Sequence, residues 1–257
     1  EEEPSLYFYR LQDGSHQQTG LAGCYAIDEY ERGVIKRHER TRADKEDDRT
    51  RHIVAVRAQT GIAFLTYRAP EEIGALQARA CEDEPLFDIT APDGVRHTVW
   101  RLTNPDQEAV VKALAEVKTL YIADGHHRIA SAARVRGELG AANNHDPTAE
   151  ACYFLGVSFP DTETRILPYN RTVASLAGMT SADFLAAVKS RFPVMSGVQP
   201  VPPKGEIRMY LAGQWHSVNL DAANSPAASD LVATLDVTRL QNQIFAPLLE
   251  VVDVRTD

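Results

Sequence analysis

Residues 124–128 place an acid, a glycine, two histidines and an arginine between a strand-like run of apolar residues and a helical spacing of apolar residues. The preceding residues 120–123 form a short apolar run typical of a buried strand, and Ile129 opens a helical spacing of apolar residues. A helix that begins here presents unbonded backbone N–H groups, and its dipole favours negative charge at that end. Arg128 adds a planar guanidinium suited to phosphate or carboxylate. This segment therefore predicts an anion-binding site.

Two less specific interpretations of the same segment remain open. Asp124 can be only the N-cap of the following helix, with both histidines solvated on the surface. A metal site formed by His126 and His127 is disfavoured, because neighbouring helical residues point about 100° apart. The sequence also lacks the His-Glu-x-x-His and paired-cysteine spacings of common zinc sites.

A second segment with chemical potential is residues 36–52, in which cationic side chains are interleaved with carboxylates such as Glu39. Mixed charge of this kind is usual on a solvated helix laced with ion pairs. Cations close to a carboxylate also suit phosphate binding with a metal or proton transfer nearby. The residue types alone leave both interpretations open.

Composition excludes several classes of protein. The chain has 257 residues, 44% of them hydrophobic, which is enough for a core in one large or two small domains. Its formal net charge of −9 argues against a broad basic face, so we do not expect nucleic acid as a partner. Three widely spaced cysteines predict neither a disulfide framework nor a metal cluster and favour a cytoplasmic location. We see no signal peptide or apolar run of 18 residues, and so expect no membrane association; oligomerisation stays open.

The spacing of apolar and turn residues predicts an α+β or mixed α/β fold. Strands are predicted at residues 6–10, 19–27, 61–67, 87–90, 97–102, 120–123, 151–159, 164–167, 206–211 and 214–220, with close approaches of another chain segment at Gly20 and Gly23. Helices are predicted at residues 70–80, 104–118, 126–139, 181–191 and 237–249. The second begins with Asn104 as N-cap and Gln107 at N3, the third follows Gly125 and stops at Gly140, and the fourth follows a Thr or Ser cap. Residues 141–148 are predicted to form a polar loop.

Four segments together resemble the motifs of a prokaryotic family of unknown function whose hallmark is Asp-Gly-His-His-Arg. They are residues 18–21 (Gln-Thr-Gly-Leu), 36–41 (Lys-Arg-His-Glu-Arg-Thr), 121–128 and 167–172 (Leu-Pro-Tyr-Asn-Arg-Thr). That family is similar to the ParB/sulfiredoxin-like superfamily, which includes free-serine kinases with a related Asp-Gly-His-x-Arg segment. The resemblance implies a ParB/sulfiredoxin-like nucleotide-binding core with a mixed sheet over residues 1–172 and an additional C-terminal α/β lobe over residues 173–257.

The same resemblance implies a role for each residue of the site. Glu39 is implied to be the catalytic base that activates a substrate hydroxyl, and Asp124 to be catalytic by positioning Mg²⁺ or that hydroxyl. The nucleotide and its phosphates are implied to bind Gly125, His126, His127, Arg128, Arg171, His38, Thr41 and Arg42. Phosphoryl transfer needs mainly positioning and charge neutralisation, which such a set of residues can supply.

Three functions are consistent with these residues. The first is a small-molecule kinase that uses ATP or ADP with Mg²⁺ to phosphorylate a hydroxyl, with free serine as a candidate acceptor. The second is a nucleotide-binding switch or adaptor of the ParB type, and the third is a phosphate-ester hydrolase with His126 or His127 as base. The sequence has neither a Gly-x-x-x-x-Gly-Lys-Ser/Thr loop nor a protein-kinase signature, so any kinase here is of an unrelated kind.

Overall fold

In a computed structural model the chain divides after Arg165 into two units, Glu1–Arg165 and Ile166–Asp257. The sequence placed its division somewhat later, after residue 172. The structure describes residues 4–139, 149–221 and 230–252. Gly140 and the loop expected at residues 141–148 lie outside these ranges.

One mixed sheet of eight strands organises the first unit. The strands are β1 (Tyr7–Asp13), β2 (His16–Ala26), β3 (Ile35–Lys36), β4 (Ala63–Tyr67), β5 (Phe87–Thr90), β6 (Arg96–Arg101), β7 (Leu120–Asp124) and β8 (Tyr153–Pro160). Their order across the sheet is β3-β7-β4-β8-β2-β1-β6-β5. β3 runs parallel to β7 and β4 runs parallel to β8, while the other neighbouring pairs are antiparallel. The strands predicted between residues 6 and 159 all lie in this sheet, and only the two-residue β3 was missed.

Helices α2 and α5 pack together, and α5 begins inside the segment for which the sequence predicts anion binding. The helices of this unit are α1 (Ile27–Glu31), α2 (Ala43–Val56), α3 (Glu71–Ala80), α4 (Asn104–Ala115), α5 (His126–Glu138) and a short 3-10 turn at Glu150–Cys152. The Ser131 hydroxyl donates to the Glu46 carbonyl at 3.2 Å, and Arg134 pairs with Asp47 at 2.7 Å. The helical interpretation of the mixed-charge segment is thus confirmed from Ala43 onward. It is wrong for residues 37–42, which form a loop.

The start of α4 departs from the predicted capping pattern. Asn104 was the predicted N-cap, but it is already helical, and the residue before the helix is Thr103, whose side chain makes no capping hydrogen bond. Gln107 instead accepts the backbone N–H of Leu6 at 2.9 Å, so it ties the helix to the chain before β1. The helix ends at Ala115, earlier than predicted, because its last turn tightens to i−3 hydrogen bonds.

The second unit holds a small antiparallel sheet and its own apolar core. Its elements are α6 (Ser181–Lys189), β9 (Val194–Ser196), β10 (Glu206–Leu211), β11 (Gln214–Asn219), α7 (Asp236–Leu240), a π-helical turn at Gln241–Phe245 and α8 (Ala246–Leu249), with strand order β10-β11-β9. The Thr180 hydroxyl accepts the Asp183 N–H at 3.2 Å, which confirms the predicted cap. Phe184, Val188 and Val218 are buried together in the core.

The strand predicted at residues 164–167 was wrong. These residues have no regular structure, and the Ile166 side chain is 99% exposed. A β-prone run becomes a strand only where a neighbouring strand pairs with it, and neither described sheet includes this run. The mixed α/β class itself is confirmed in both units. Among the described residues no helix is both long and apolar enough to cross a membrane.

Gly20 allows β2 and β8 to approach closely. A Cβ atom added at Gly20 would lie 2.6 Å from Val157 Cγ1 and 2.8 Å from the Ser158 carbonyl oxygen. The second of these contacts is with backbone inside the sheet, which cannot move aside without disturbing strand pairing. The close approaches predicted at Gly20 and at Gly23 are both confirmed.

We expect Gly20→Ala to lower the free energy of unfolding by about 1–3 kcal/mol, because the added methyl overpacks the sheet. Gly74→Ala is the matched control. Its Cβ would meet nothing within 4 Å on the exposed face of α3, so we expect it to stabilise the protein by about 0.5–1 kcal/mol. Urea denaturation of both variants measures the two values. Equal effects of the same sign would contradict the close-contact interpretation.

Candidate functional site

The parallel pairing of β3 with β7 brings the two predicted segments together. Ile35 pairs with Leu120 and Lys36 with Tyr121, so both strands point toward the same edge of the sheet. The chain that leaves β3 forms the loop of residues 37–42, here called the basic loop. The chain that leaves β7 turns at Gly125 and enters α5. Carboxyl ends of adjacent parallel strands form a crevice in which ligands bind in open α/β sheets.

Gly125 makes the sharp turn between β7 and α5. Its φ of +100° lies in the left-handed region that disfavours side chains, and an added Cβ would lie 3.2 Å from Ala63 Cα. Gly125 is also the N-cap residue, and no side chain caps the helix. The interpretation of Asp124 as a simple N-cap is therefore wrong. The first N–H groups of α5 keep their capacity to bind an anion.

Arg128 and Asp124 form an ion pair across this turn. Arg128 Nη1 donates to Asp124 Oδ2 at 2.8 Å and to the Ile62 carbonyl at 3.2 Å. Its Nε packs over Gly61, where an added Cβ would lie only 2.8 Å away. Both bonds use Nη1, so the five-donor guanidinium keeps further donors for a ligand.

Two histidine rings of α5 accept hydrogen bonds from the backbone of the basic loop. The N–H of His38 donates to His126 Nε2 at 3.4 Å, and the N–H of Arg42 donates to His127 Nε2 at 3.1 Å. A ring nitrogen that accepts an N–H carries a lone pair, so each neutral ring holds its proton on Nδ1. The rings thus hold the basic loop against the start of α5.

Glu39 lies beside the buried His126 ring. Its Oε2 is 3.8 Å from His126 Nδ1, a distance too long for a hydrogen bond, and the His38 ring meets the His126 ring edge-on at 4.5 Å. His126 is only 5% exposed, whereas the Glu39 side chain is 59% exposed. Burial lowers the pKa of His126, and the neighbouring His38 lowers it further, which outweighs the opposing effect of Glu39.

Two neighbouring cavities share Glu39 and His126 in their walls. The smaller, of about 90 Å³, is lined by Glu39, Arg49, Asp124, Gly125, His126, His127 and Arg128. The larger, of about 280 Å³, is lined by Tyr30, Arg37, Glu39, Arg40, Thr41 and His126. Together they present four guanidinium groups against two carboxylates. This local excess of positive charge suits a polyanion, although the whole chain carries −9.

The structure brings most of the predicted site residues to these cavities, but not all of them. Thr41 lines the larger cavity, and His38 lies against His126. Arg42 contributes its backbone N–H, while its guanidinium pairs with Asp44 at 3.0 Å. Arg171 belongs to the second unit, where its guanidinium lies 6.0 Å from the centre of the Tyr169 ring.

Four lining residues were absent from the predicted set. They are Tyr30, Arg37, Arg40 and Arg49. Arg49 had a signal in the sequence, because it lies in the cation-rich segment of residues 36–52 that the sequence singles out. Tyr30 had none, since only the fold brings it next to Arg37.

The family described as protein of unknown function DUF1015 matches residues 1–238. The chain therefore belongs to this family. Neither the curated proteins nor the solved structures include a match.

The lowered pKa of His126 predicts a pH dependence of stability. In the unfolded chain the imidazole has its ordinary pKa of about 6.5 and takes up a proton that the folded ring resists. Stability should therefore fall as the pH drops below about 6.5, and this loss should level off below the folded pKa. Urea denaturation of metal-free protein between pH 8 and pH 5 measures it. His126→Asn should show a shallower slope over this window, and equal slopes would exclude His126 as the source.

Proposed function

We propose that this member of the DUF1015 family is a phosphotransferase that moves a phosphoryl group from ATP or ADP to the hydroxyl of a small molecule. Free serine is the acceptor we consider first. The observation that carries the proposal is the position of Glu39 in the wall common to both cavities. A carboxylate at that boundary is suited to remove a proton from a hydroxyl in one cavity beside a phosphate in the other.

The smaller cavity fits the phosphate end of the reaction. It lies at the uncapped start of α5, where backbone N–H groups and the helix dipole favour an anion. Arg49 and Arg128 add two guanidinium groups that can bind phosphate oxygens in a fork. Its volume suits phosphate groups and not a whole nucleotide, so the nucleoside would extend out of this cavity.

Asp124 is the residue we propose as the ligand of Mg²⁺. Its carboxylate lines the smaller cavity together with that of Glu39, and carboxylate oxygens are ligands that this ion prefers. When bound, Mg²⁺ supplies neutralisation of phosphate charge. The ion pair with Arg128 holds the Asp124 carboxylate beside the cavity.

The larger cavity fits the acceptor. At about 280 Å³ it lies just below the usual range of about 300–1,000 Å³ for small-molecule sites, which suits a molecule the size of an amino acid. Arg37 and Arg40 in its wall can bind a carboxylate of the acceptor. In the proposed reaction Glu39 takes the hydroxyl proton, the oxygen bonds to the terminal phosphorus, and the bond from that phosphorus to the nucleotide breaks.

Two further considerations favour a kinase. The resemblance of residues 124–128 to the Asp-Gly-His-x-Arg segment of free-serine kinases in the ParB/sulfiredoxin-like superfamily supports both the nucleotide and the acceptor. A hydrolase with His126 or His127 as base is less well supported, because the lone pair of each neutral ring already accepts a backbone N–H.

We expect Glu39→Gln to lower the rate of phosphoserine formation from ATP, Mg²⁺ and serine by about 10²–10⁴-fold, because an amide cannot accept the proton. Nucleotide binding should persist in this variant. Glu108→Gln is the control, since Glu108 is an exposed residue of α4 that lines neither cavity. An unchanged rate in Glu39→Gln would exclude Glu39 as the base. Tight nucleotide binding by the wild-type protein without product, from serine or other small alcohols, would favour a binding switch.

We expect Arg49→Gln to weaken binding of a non-hydrolysable ATP analogue by about tenfold or more, because it removes a charged donor from the phosphate cavity. Arg51→Gln in the same helix should leave the affinity nearly unchanged, since Arg51 is 79% exposed and lines neither cavity. Calorimetry measures both affinities. Equal losses in the two variants would indicate general charge attraction and not a built site.

A further inference from the structure

We infer that His38, Glu39 and His126 form a binding site for a divalent transition metal, with Zn²⁺ as the representative ion. One ligand atom from each of these residues lies within 4.8 Å of the other two. This inference goes beyond the proposed transferase and its Mg²⁺, and the binding itself does not depend on that proposal.

The donor set selects the class of metal. Two imidazole nitrogens and one carboxylate oxygen are ligands that zinc and related transition metals prefer. Mg²⁺ prefers oxygen ligands and keeps much of its water, so the two imidazoles discriminate against it. Three protein ligands, with a fourth position left for water or substrate, are typical of catalytic zinc sites, whereas structural sites have four protein ligands.

His126 is the fixed ligand of this set. It begins α5, its side chain is 5% exposed, and its Nδ1 faces the Glu39 carboxylate at 3.8 Å. Burial of this imidazole costs free energy, because the Glu39 carboxylate is too far away to accept a hydrogen bond from its N–H. A cation between the two groups would be bonded by both of them.

The other two ligands lie on the basic loop, which is able to close on the ion. Metal–ligand bonds of about 2.0–2.1 Å place tetrahedral ligands about 3.4 Å apart, so the present separations must shorten. Both His38 and Glu39 are exposed and belong to no helix or strand. A movement of about 1 Å in this loop would complete the shell without disturbing α5.

Metal binding competes with one hydrogen bond that holds the loop. Coordination through His126 Nε2 replaces the 3.4 Å bond from the His38 N–H, because the metal takes the same lone pair. Coordination through Nδ1 ends it as well, because the ring proton then moves from Nδ1 to Nε2. Binding of the metal should therefore change the position of the loop at His38 while the bond from Arg42 to His127 persists.

Occupation of this site would also remove Glu39 from proton transfer. A carboxylate bound to zinc accepts a proton poorly, so transition metals should inhibit the transferase that Mg²⁺ supports. This consequence alone rests on the proposed function. If transition metals inhibit the transferase without binding at this site, the metal site is wrong and the proposed function stands. If metal binds and the protein has no transferase activity, the proposed function is wrong and the metal site stands.

The test is a titration of metal-free protein with Co²⁺, followed by its visible absorption, and with Zn²⁺, followed by calorimetry, both without nucleotide. We expect one equivalent to bind, with a Co²⁺ spectrum of four- or five-coordinate character, and millimolar Mg²⁺ not to displace it. His38→Ala and Glu39→Gln should each weaken binding at least tenfold, whereas His52→Ala, an exposed histidine of α2, should not.

Any of three results would overturn the inference. These are the absence of stoichiometric binding, affinity that His38→Ala and Glu39→Gln leave unchanged, and equal loss in the His52→Ala control. His126→Asn serves as an additional variant only if its circular dichroism matches that of the wild-type protein, because His126 is buried in the fold. The two loop variants change exposed side chains and keep the test decisive without it.

Discussion

The short parallel pairing of β3 with β7 is the constraint on which the site depends. Only two residues of each strand take part, Ile35 with Leu120 and Lys36 with Tyr121, yet this pairing sets where the chain goes next. Because the strands are parallel, the basic loop and the turn at Gly125 leave the sheet at the same edge. Glu39 and His126, 87 positions apart in the sequence, become neighbours as a result. The positions of the candidate anion site, of the carboxylate beside it and of the three proposed metal ligands all follow from this arrangement.

The two histidine rings of α5 act first as supports. Their Nε2 atoms accept the N–H groups of His38 and Arg42, and these bonds position a loop that has no secondary structure of its own. The rings were expected to bind phosphate directly. Their Nε2 atoms give them a positioning role, and direct phosphate binding by these rings stays a prediction, because both residues also line the smaller cavity with Arg49 and Arg128. Loops held by a few hydrogen bonds open at low free-energy cost, which suits a site that must admit a ligand.

Glu39 is the residue shared by the proposed proton transfer and the proposed metal site. Its carboxylate faces a phosphate-sized cavity, a larger cavity and two imidazoles at once. One carboxylate cannot serve as a free base and as a metal ligand at the same time. With the proposed assignments, we expect this protein to respond differently to Mg²⁺, the ion proposed for Asp124, and to metals that prefer nitrogen ligands. The expected competition arises because the proposed base lies within reach of two histidines.

Local features of this protein followed from its sequence by itself. The apolar run 120–123, the turn at Gly125 and the spacing from Ile129 predicted a strand, a turn and a helix, and the structure has all three there. The free N–H groups at that junction followed as well, because a helix start has them in any fold, and the anion that they favour stays a prediction. Only the tertiary structure decided that residues 37–42 form a loop and that residues 164–167 pair with no strand of the described sheets. It also decided that Asp124 pairs with Arg128 and that the Arg42 guanidinium pairs with Asp44. The reason is physical: periodicity reports how a segment bonds to itself, whereas the strand order of the sheet decides which distant segments meet, and a single sequence carries no direct record of that order.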